Sequence, residues 1–324
     1  MNLFFFLILC AIFFDFALNN FARFLDLHKI SKHLPDEFIN HYDEEKYALS
    51  QQYTSTNIYH AFISSTASLI FIIVIISSNF FNTLDVWLRG FGFSSILTGL
   101  LFFAVFVLIT DFMSIPFSIY QTFIIEKKYG FNKTTPRTFI IDKIKSYCIL
   151  LIFGGLILAG IFYFFEYFQE MAWIFASLGI GIFLLFIQPI FTLFVAPLFN
   201  TFTPLEDGQL KNQIYKLTTQ INFPINRIDI MDGSRRSSKG NAYFSGTGKN
   251  KRIALFDTLI NQHNTNELVS IIAHEIGHYK YKHNIKGMVM AFIQSSLMFY
   301  LFSLFINNQN LFFAFNMDHL SVYC

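Results

Sequence analysis

The sequence predicts an α-helical integral membrane protein with six membrane helices and a small α+β domain inserted before the sixth. Apolar residues make up 54% of the 324 residues and charged residues only 14%, whereas a soluble domain has about 25% charged residues. The chain also contains 45 phenylalanines, too many to be buried in one soluble core of this size. Most of the chain is therefore expected to lie in a lipid bilayer.

Six apolar segments are long enough to cross a bilayer, which takes roughly 20 apolar residues. The third contains Asp111 and Pro116, so we expect a kink or a polar lining there. The first begins near the N-terminus, but it has no basic residues before it and no A-x-A site after it. We therefore expect a retained helix rather than a signal peptide. The predicted spans are Leu3–Leu18, Ile58–Ile76, Ile96–Ile125, Tyr147–Phe165, Trp173–Leu193 and Met288–Ile306.

The distribution of lysine and arginine predicts the orientation. With these spans, 22 of the 23 basic residues fall in segments on one side, and Arg89 is the exception. By the positive-inside rule that side is the cytoplasm. The net charge of +2 is too small to indicate a nucleic-acid-binding protein. The three cysteines are far apart and form no C-x-x-C pair, which argues against a disulfide framework or a cysteine zinc site.

The long polar segment 196–286 is expected to form a separate domain after the five spans of residues 1–195. The sixth span (287–306) and a short tail (307–324) follow it. Apolar residues from Leu210 onward recur at helical spacing, and two β-like runs follow, "INRIDIM" and "KRIALF". Gly- and Ser-rich turns are expected at both ends of the stretch between these runs. Asn264 and Glu267 form the pattern of a capping box, and the helix they begin is expected to run through "ELVSIIAHEIGHYKYKH".

That helix carries the motif His274-Glu275-Ile276-Gly277-His278. Residues i and i+4 lie on one helix face, so both imidazoles can reach one Zn²⁺ ion at about 2.0–2.1 Å. Glu275 adjoins the first ligand and can act as general base toward a water that the metal acidifies. Solvated histidines on a helix edge are the alternative. The preceding run "LVSIIA" disfavours it, because that run would bury the helix.

The third zinc ligand is not evident. On a continuous helix, His283 lies about 140° from His278, so we expect it to be solvated or to contact a ligand rather than bind metal. After Glu275 the only carboxylate is Asp318, beyond the sixth span and therefore about 30 Å away across the bilayer. Three upstream acids stay open as alternatives without supporting spacing, namely Asp15, Asp111 and Glu166.

Several motifs in order resemble the type I CAAX prenyl proteases, which are integral-membrane zinc endopeptidases with bacterial relatives. They are "EKKYGFNKTT", "APLFNTFTPLEDGQL", "DGSRRSSKGNAYFSG", "RIALFDTLI" and "HEIGH". The resemblance implies that His274 and His278 are Zn²⁺ ligands and that Glu275 is the general base. It also implies that Asn241 and Ala242 belong to an edge strand that pairs with the substrate backbone. Eukaryotic members often have His-Ser before Asn-Ala-Tyr, whereas this chain has Lys239 and Gly240.

The family fold has seven helices around a chamber, and its third ligand is a glutamate after the seventh span. Because only six spans are predicted, the chain is expected to be truncated at its C-terminus. The resemblance implies a peptide or prenylated-protein substrate and a bacterial inner membrane or endoplasmic reticulum membrane, with the protease domain toward the cytoplasm. Two alternatives stay open, a catalytically inactive membrane protein that binds clients without cleaving them and a stress-response membrane protease.

Overall fold

The computed structural model describes residues 2–31, 33–223, 225–246 and 251–323. The chain divides into two compact units. Unit one comprises Met1–Tyr129 with Leu304–Cys324, and unit two comprises Gly130–Ser303. In chain order the helices of the described residues are α1 (Leu3–Lys29), α2 (Glu44–Ser77), α3 (Phe80–Arg89), α4 (Ser95–Tyr120), α5 (Pro136–Ile149), α6 (Gly155–Tyr167), α7 (Ala172–Ile190), α8 (Ala196–Phe199), α9 (Gln209–Gln220), α10 (Asp257–Gln262), α11 (Thr265–Lys280), α12 (His283–Phe305) and α13 (Gln309–Ala314).

Six helical segments of the described chain are long and apolar enough to cross a bilayer, as the sequence predicts. Most are longer than the apolar runs alone, because each helix continues into flanking polar residues. Around Pro116, α4 stays helical and passes into a π-helical turn at Gln121–Glu126. Similar turns join α5 to α6 and α7 to α8. The segments are Leu3–Lys29, Glu44–Ser77, Ser95–Glu126, Pro136–Tyr167, Gln169–Phe199 and His283–Phe305.

A polar stripe runs between α1 and α2 of unit one. Arg23 donates hydrogen bonds to Ser65 Oγ and Asn20 Oδ1, both at 3.0 Å. Asn19 donates to the carboxylate of Asp15 at 3.0 Å. A groove of about 490 Å³ opens along these side chains. Because charged groups inside a span are costly in contact with lipid, these hydrogen bonds, within α1 and from Arg23 to Ser65 on α2, lower the cost of placing Asp15 and Arg23 in a membrane helix. The stripe consists of Asp15, Asn19, Asn20, Arg23, Ser65 and Ser68.

The short helix α3, which the apolar pattern does not predict, holds the C-terminal tail within unit one. Its Asp85 has no exposed surface, accepts a hydrogen bond from the Tyr323 hydroxyl at 2.9 Å and pairs with Arg89 at 2.8 Å. Asn82 donates to the carboxylate of Asp318 at 2.8 Å and accepts from its backbone N–H at 3.0 Å. Asp318 is thus engaged inside unit one.

Unit two contains a four-stranded sheet in the order β1-β2-β4-β3. The strands are β1 (Phe202–Pro204), β2 (Arg227–Met231), β3 (Ala242–Ser245) and β4 (Arg252–Phe256). β2 and β4 are the two predicted β-like runs and pair in parallel, whereas β1 and β3 pair antiparallel with them. The first predicted turn contains a 3₁₀ turn at Gly233–Arg235. The second falls largely on residues 247–250, outside the described residues.

The core of this domain lies between the sheet and two helices. The helix predicted from Leu210 is α9, which packs against α11, and α11 packs in turn against β3. One isoleucine from each helix, Ile214 and Ile272, and Leu255 from β4 have no exposed surface. Burying each such side chain contributes about 1.5–3 kcal/mol. The hydrophobic effect therefore fixes which face of α11 looks toward the sheet.

An ion-pair cluster crosses the sheet. The carboxylate of Asp229 on β2 is fully buried and contacts both Arg227 and Arg252. The Arg252 guanidinium also lies 4.0 Å from the centroid of the Phe202 ring on β1. A buried carboxylate without such partners would be strongly destabilising. Side chains as well as ladder hydrogen bonds therefore hold β1, β2 and β4 together.

The expectation of one continuous helix through His283 is wrong. α11 ends at Lys280, and α12 begins at His283. Between them Lys282 adopts a left-handed conformation with φ of 55°, and its N–H donates to the Tyr279 carbonyl at 2.8 Å. A left-handed residue just after a helix is a common way to end it. Glycine usually fills that position, so a lysine there gives no recognisable stop signal in the sequence.

Candidate metal centre

Helix α11 is fixed at its start by the predicted capping box. Asn264 Oδ1 accepts the Glu267 N–H, and the Glu267 carboxylate accepts the Asn264 N–H, both at 3.0 Å. The Asn264 N–H, and then the neighbouring His263 side chain, hold the pKa of Glu267 below its ordinary value. Further along, Leu268, Ile272 and Ile276 are buried at spacings of four residues. The face that carries His274 and His278 is therefore turned outward.

The two motif histidines converge at one point. Nε2 of His274 lies 3.0 Å from Nε2 of His278, and both side chains are exposed. Two nitrogens that each lie 2.0–2.1 Å from a tetrahedral zinc ion are separated by about 3.3–3.4 Å. A shift of a few tenths of an ångström would bring the pair to that separation. The pair is thus spaced as two ligands of one metal ion would be.

His283 contacts the other nitrogen of His278. Nδ1 of His283 lies 2.7 Å from Nδ1 of His278, and the ring centroids are 4.9 Å apart. His283 is therefore on the far side of the His278 ring from His274. The predicted separation of about 140° between His278 and His283 is wrong, because α11 ends at Lys280 and does not continue through His283.

Glu275 lies between the two histidines in sequence and is half-buried on the adjoining face of α11. In the described ranges, no cluster of three or more His, Cys, Asp or Glu side chains is arranged to hold a metal ion. Glu166, one of the three open candidates, is exposed near the end of α6. The other two belong to unit one. The third ligand thus stays unassigned.

Strand β3 forms an edge of the sheet as far as the chain is described. The Asn241 carbonyl, just before it, accepts the Phe256 N–H of β4 at 3.0 Å. Because bonded and non-bonded pairs alternate in an antiparallel ladder, the peptide groups of Ala242 and Phe244 point away from β4. Asn241 Oδ1 accepts the Ala242 N–H at 2.8 Å. Burial raises the pKa of the intervening Tyr243.

The two residues that depart from the family pattern have local explanations. A Cβ at Gly240 would lie 2.9 Å from a side-chain carbon of Leu259 and 3.1 Å from its Cα. The close approach to the start of α10 therefore favours glycine. Lys239 places its ammonium 4.6 Å from the centroid of the Phe131 ring. Neither residue supplies a histidine at this point of the sheet edge.

An aromatic cage beneath the end of α11 was missed by the sequence reasoning. Its three rings, Phe223, Phe244 and Tyr279, have centroids 5.0–5.2 Å apart. Lys251 is 5% exposed, and its ammonium lies 4.1 Å from the centroids of Phe223 and Tyr279. The cage connects β3 and the residue just before β4 to Tyr279, the residue after His278. In the sequence, the only indication of the cage is the presence of these aromatic residues in the long polar segment 196–286.

Comparison with known proteins agrees with the membrane helices and with the domain that carries the His274–His278 motif. Residues 24–201 match the family model described as CAAX prenyl protease N-terminal, five membrane helices, and residues 204–323 match peptidase family M48. The chain belongs to the CAAX prenyl protease family. The resemblance found in the sequence is therefore confirmed, and with six apolar helices this family member is a multi-pass integral membrane protein.

Individual relatives show how far the similarity extends. The chain is 36% identical to the probable CAAX prenyl protease 1 of Schizosaccharomyces pombe over 87% of its own length and 62% of that protein. It is 34% identical to the Arabidopsis thaliana CAAX prenyl protease 1 homolog, over 92% and 73% of the two chains. The crystal structure of S. mikatae Ste24p matches 97% of this chain and 75% of that chain, with a TM-score of 0.92 and 30% identity. The chain thus spans 62–75% of the length of these three relatives.

Proposed function

We propose that the chain is a membrane-embedded zinc metalloendopeptidase, with its protease domain at residues 196–286. The observation that carries the proposal is the 3.0 Å approach of His274 Nε2 and His278 Nε2 on the exposed face of α11. Membership of a metalloprotease family gives this pair a catalytic context. His274 and His278 would hold Zn²⁺, which when bound supplies a Lewis acid that polarises the scissile carbonyl and lowers the pKa of a water.

Glu275 is the proposed general base. It adjoins His274 on α11, so its carboxylate can take a proton from the attacking water as the carbon–oxygen bond forms. The same carboxyl group can then give that proton to the leaving amine nitrogen as the peptide bond breaks. The two transfers return Glu275 to its starting state. The products are a new carboxyl terminus and a new amino terminus.

The outer edge of β3 is the proposed binding site for the substrate backbone. An extended peptide can add to a sheet edge through main-chain hydrogen bonds. The outward peptide groups of Ala242 and Phe244 are suited to this pairing, and β3 packs directly against α11. The Asn241 side chain, which accepts the Ala242 N–H, would give up that bond when a substrate carbonyl takes its place. Asn241 and Ala242 are thus the proposed contacts with the substrate backbone.

The proposed substrates are the C-terminal peptides of prenylated proteins, because the relatives are named CAAX prenyl proteases. A segment of a membrane protein is the alternative in a bacterial cell. We place the chain in an endoplasmic reticulum membrane or a bacterial inner membrane. The protease domain would face the cytoplasm, on the side that carries 22 of the 23 basic residues.

The test compares the purified full chain with Glu275→Gln and His278→Ala. We expect about one zinc per chain for the wild type and for Glu275→Gln, and much less for His278→Ala. Cleavage of a farnesylated reporter peptide is expected only for the wild type, with a loss of at least 10³-fold for Glu275→Gln. Wild-type cleavage by Glu275→Gln would refute the role of Glu275.

The same preparation separates the alternative functions. A folded wild-type chain that carries no zinc and cleaves nothing would favour a membrane protein that binds clients without cutting them. Cleavage of an unprenylated membrane-protein segment in preference to the farnesylated peptide would favour a stress-response protease. Cleavage that depends on the prenyl group would support the proposed substrate class.

A further inference from the structure

We propose that His283 is a positioning residue for His278, and that it fixes the tautomer and orientation in which His278 binds metal. The inference rests on the proposed function, because His283 can position a metal ligand only if His278 binds metal. The observation is the pair of contacts on the His278 ring. Nε2 faces His274 at 3.0 Å, and Nδ1 faces His283 Nδ1 at 2.7 Å.

The direction of the His278–His283 hydrogen bond follows from metal binding. A neutral imidazole carries one N–H and one lone pair. If His278 Nε2 gives its lone pair to a metal, its proton must be on Nδ1. At 2.7 Å the His278 Nδ1–H then donates to the lone pair of His283 Nδ1, and His283 keeps its own proton on Nε2. Metal-binding histidines usually donate their other N–H to such an acceptor, which fixes the tautomer.

The break between α11 and α12 brings His283 to this position. α11 closes with the Tyr281 N–H bonded to the Gly277 carbonyl at 3.0 Å and the Lys282 N–H bonded to the Tyr279 carbonyl at 2.8 Å. Lys282 then adopts a left-handed conformation, and α12 begins with His283 as its first residue. On a continuous helix His283 would be about 140° away from His278.

His283 also contacts a neighbouring ring. Tyr281 stacks near it at an interplanar angle of 23°, with centroids 6.0 Å apart. The acceptor is thus held by the turn and by a ring contact rather than by burial, because His283 is exposed. An acceptor that is fixed before metal binds lowers the entropy that His278 would otherwise lose on binding. Loss of such a partner typically lowers metal affinity 10–100-fold.

The test measures zinc affinity of the full chain in detergent by competition with a chromophoric chelator. We compare wild type with His283→Ala, His283→Asn and His283→Gln. The Asn Oδ1 lies close to the position of histidine Nδ1 and can accept the same hydrogen bond, whereas the Gln side chain places its acceptor one bond further out. We expect zinc affinity 10–100-fold weaker for His283→Ala and His283→Gln, and within about threefold of wild type for His283→Asn.

Thermal unfolding of the metal-free proteins serves as the folding control, and all four chains are expected to melt together. Wild-type zinc affinity in His283→Ala would overturn the inference alone and leave the proposed function standing. An equal loss of zinc affinity in His283→Asn and His283→Ala would also overturn the inference, because the hydrogen-bond acceptor would then have no role. A wild-type chain that binds no zinc would overturn the proposed function together with the inference.

Discussion

The guanidinium of Arg236 forms two parallel hydrogen bonds to the carboxylate of Asp142, at 2.7 and 3.0 Å. Its third nitrogen donates to Asn200 Oδ1 at 2.9 Å. The Arg236 carbonyl accepts the Lys133 N–H at 3.0 Å and the Thr134 hydroxyl at 3.1 Å. This one residue therefore connects the loop after β2 to α5, to the segment before α5 and to the residue that follows α8.

Replacing Arg236 by lysine is expected to destabilise the protein by about 1–2 kcal/mol. An ammonium group cannot form the paired bonds to Asp142 and reach Asn200 as well, and the partial exposure of the pair limits the loss. Thermal unfolding of the full chain in detergent, followed by circular dichroism, would measure it. Arg235→Lys is the matched control, because Arg235 is exposed. Equal melting temperatures for the two variants would contradict the prediction.

The aromatic cage predicts different effects for two substitutions of Tyr279. Tyr279→Ala removes ring contacts to Phe223 and Phe244 and one face of the site around the Lys251 ammonium. We expect a loss of about 2–4 kcal/mol in unfolding free energy. Tyr279→Phe keeps the ring and is expected to stay within about 0.5 kcal/mol of wild type. Chemical denaturation would compare the two, and a phenylalanine variant as unstable as the alanine variant would argue against the cage.

The left-handed turn predicts opposite outcomes for two substitutions of Lys282. Lys282→Val places a β-branched residue at a positive φ and is expected to cost about 1–2 kcal/mol. Lys282→Gly relieves the backbone strain of the positive φ, but glycine also gives the unfolded chain more conformational freedom. The two effects offset each other, so the free energy of unfolding should stay within about 1 kcal/mol of wild type. Zinc affinity should fall with the valine variant only, because only that variant displaces His283. Titration with a chelator would measure the zinc affinity of both variants. Equal affinities would contradict the proposed dependence of metal binding on the backbone of Lys282.

The capping box of α11 predicts a pH dependence. The folded chain holds the pKa of Glu267 below its ordinary value of 4.5, so folding favours the ionised carboxylate. The contribution of Glu267 is therefore complete above the unfolded pKa and is lost as the pH falls through the lower folded value. The difference in stability between wild type and Glu267→Gln should therefore become smaller as the pH falls from 6 to 3. Melting curves across that range would test it, and a constant gap would contradict it.

A second substitution separates the cap from the charge. Asn264→Ala removes the side-chain acceptor at the start of α11 and is expected to cost about 1 kcal/mol at neutral pH. Asn266, two residues on, is part of the first turn, and its side chain is not the capping acceptor. Asn266→Ala is therefore the matched control and should melt close to wild type.

Local signals that act over a few residues made much of this structure predictable. The six spans follow from hydropathy, and α11 begins where Asn264 and Glu267 predict. The i, i+4 spacing of His274 and His278 is enough to bring their nitrogens together. β1 and α3 were missed because a three-residue strand has no periodicity, and because α3 mixes polar residues such as Asn82 and Asp85 with its apolar face.

The position of His283 could not be predicted for a different reason. It depends on the backbone of Lys282, a residue type that seldom adopts a left-handed conformation. The aromatic cage likewise depends on β3 lying beside α11, which is a contact between segments far apart in sequence. The third metal ligand cannot be derived from spacing either, because no local pattern connects a carboxylate to the motif helix.

The polar stripe on α1 bears on how the chain enters a membrane during synthesis. An aspartate near the middle of a span raises the free energy of insertion by about 2.5–3.5 kcal/mol. Arg23 finds Ser65 only once α2 has been made. We therefore expect α1 and α2 to leave the insertion machinery as a pair, so that each helix covers the polar face of the other before lipid reaches it.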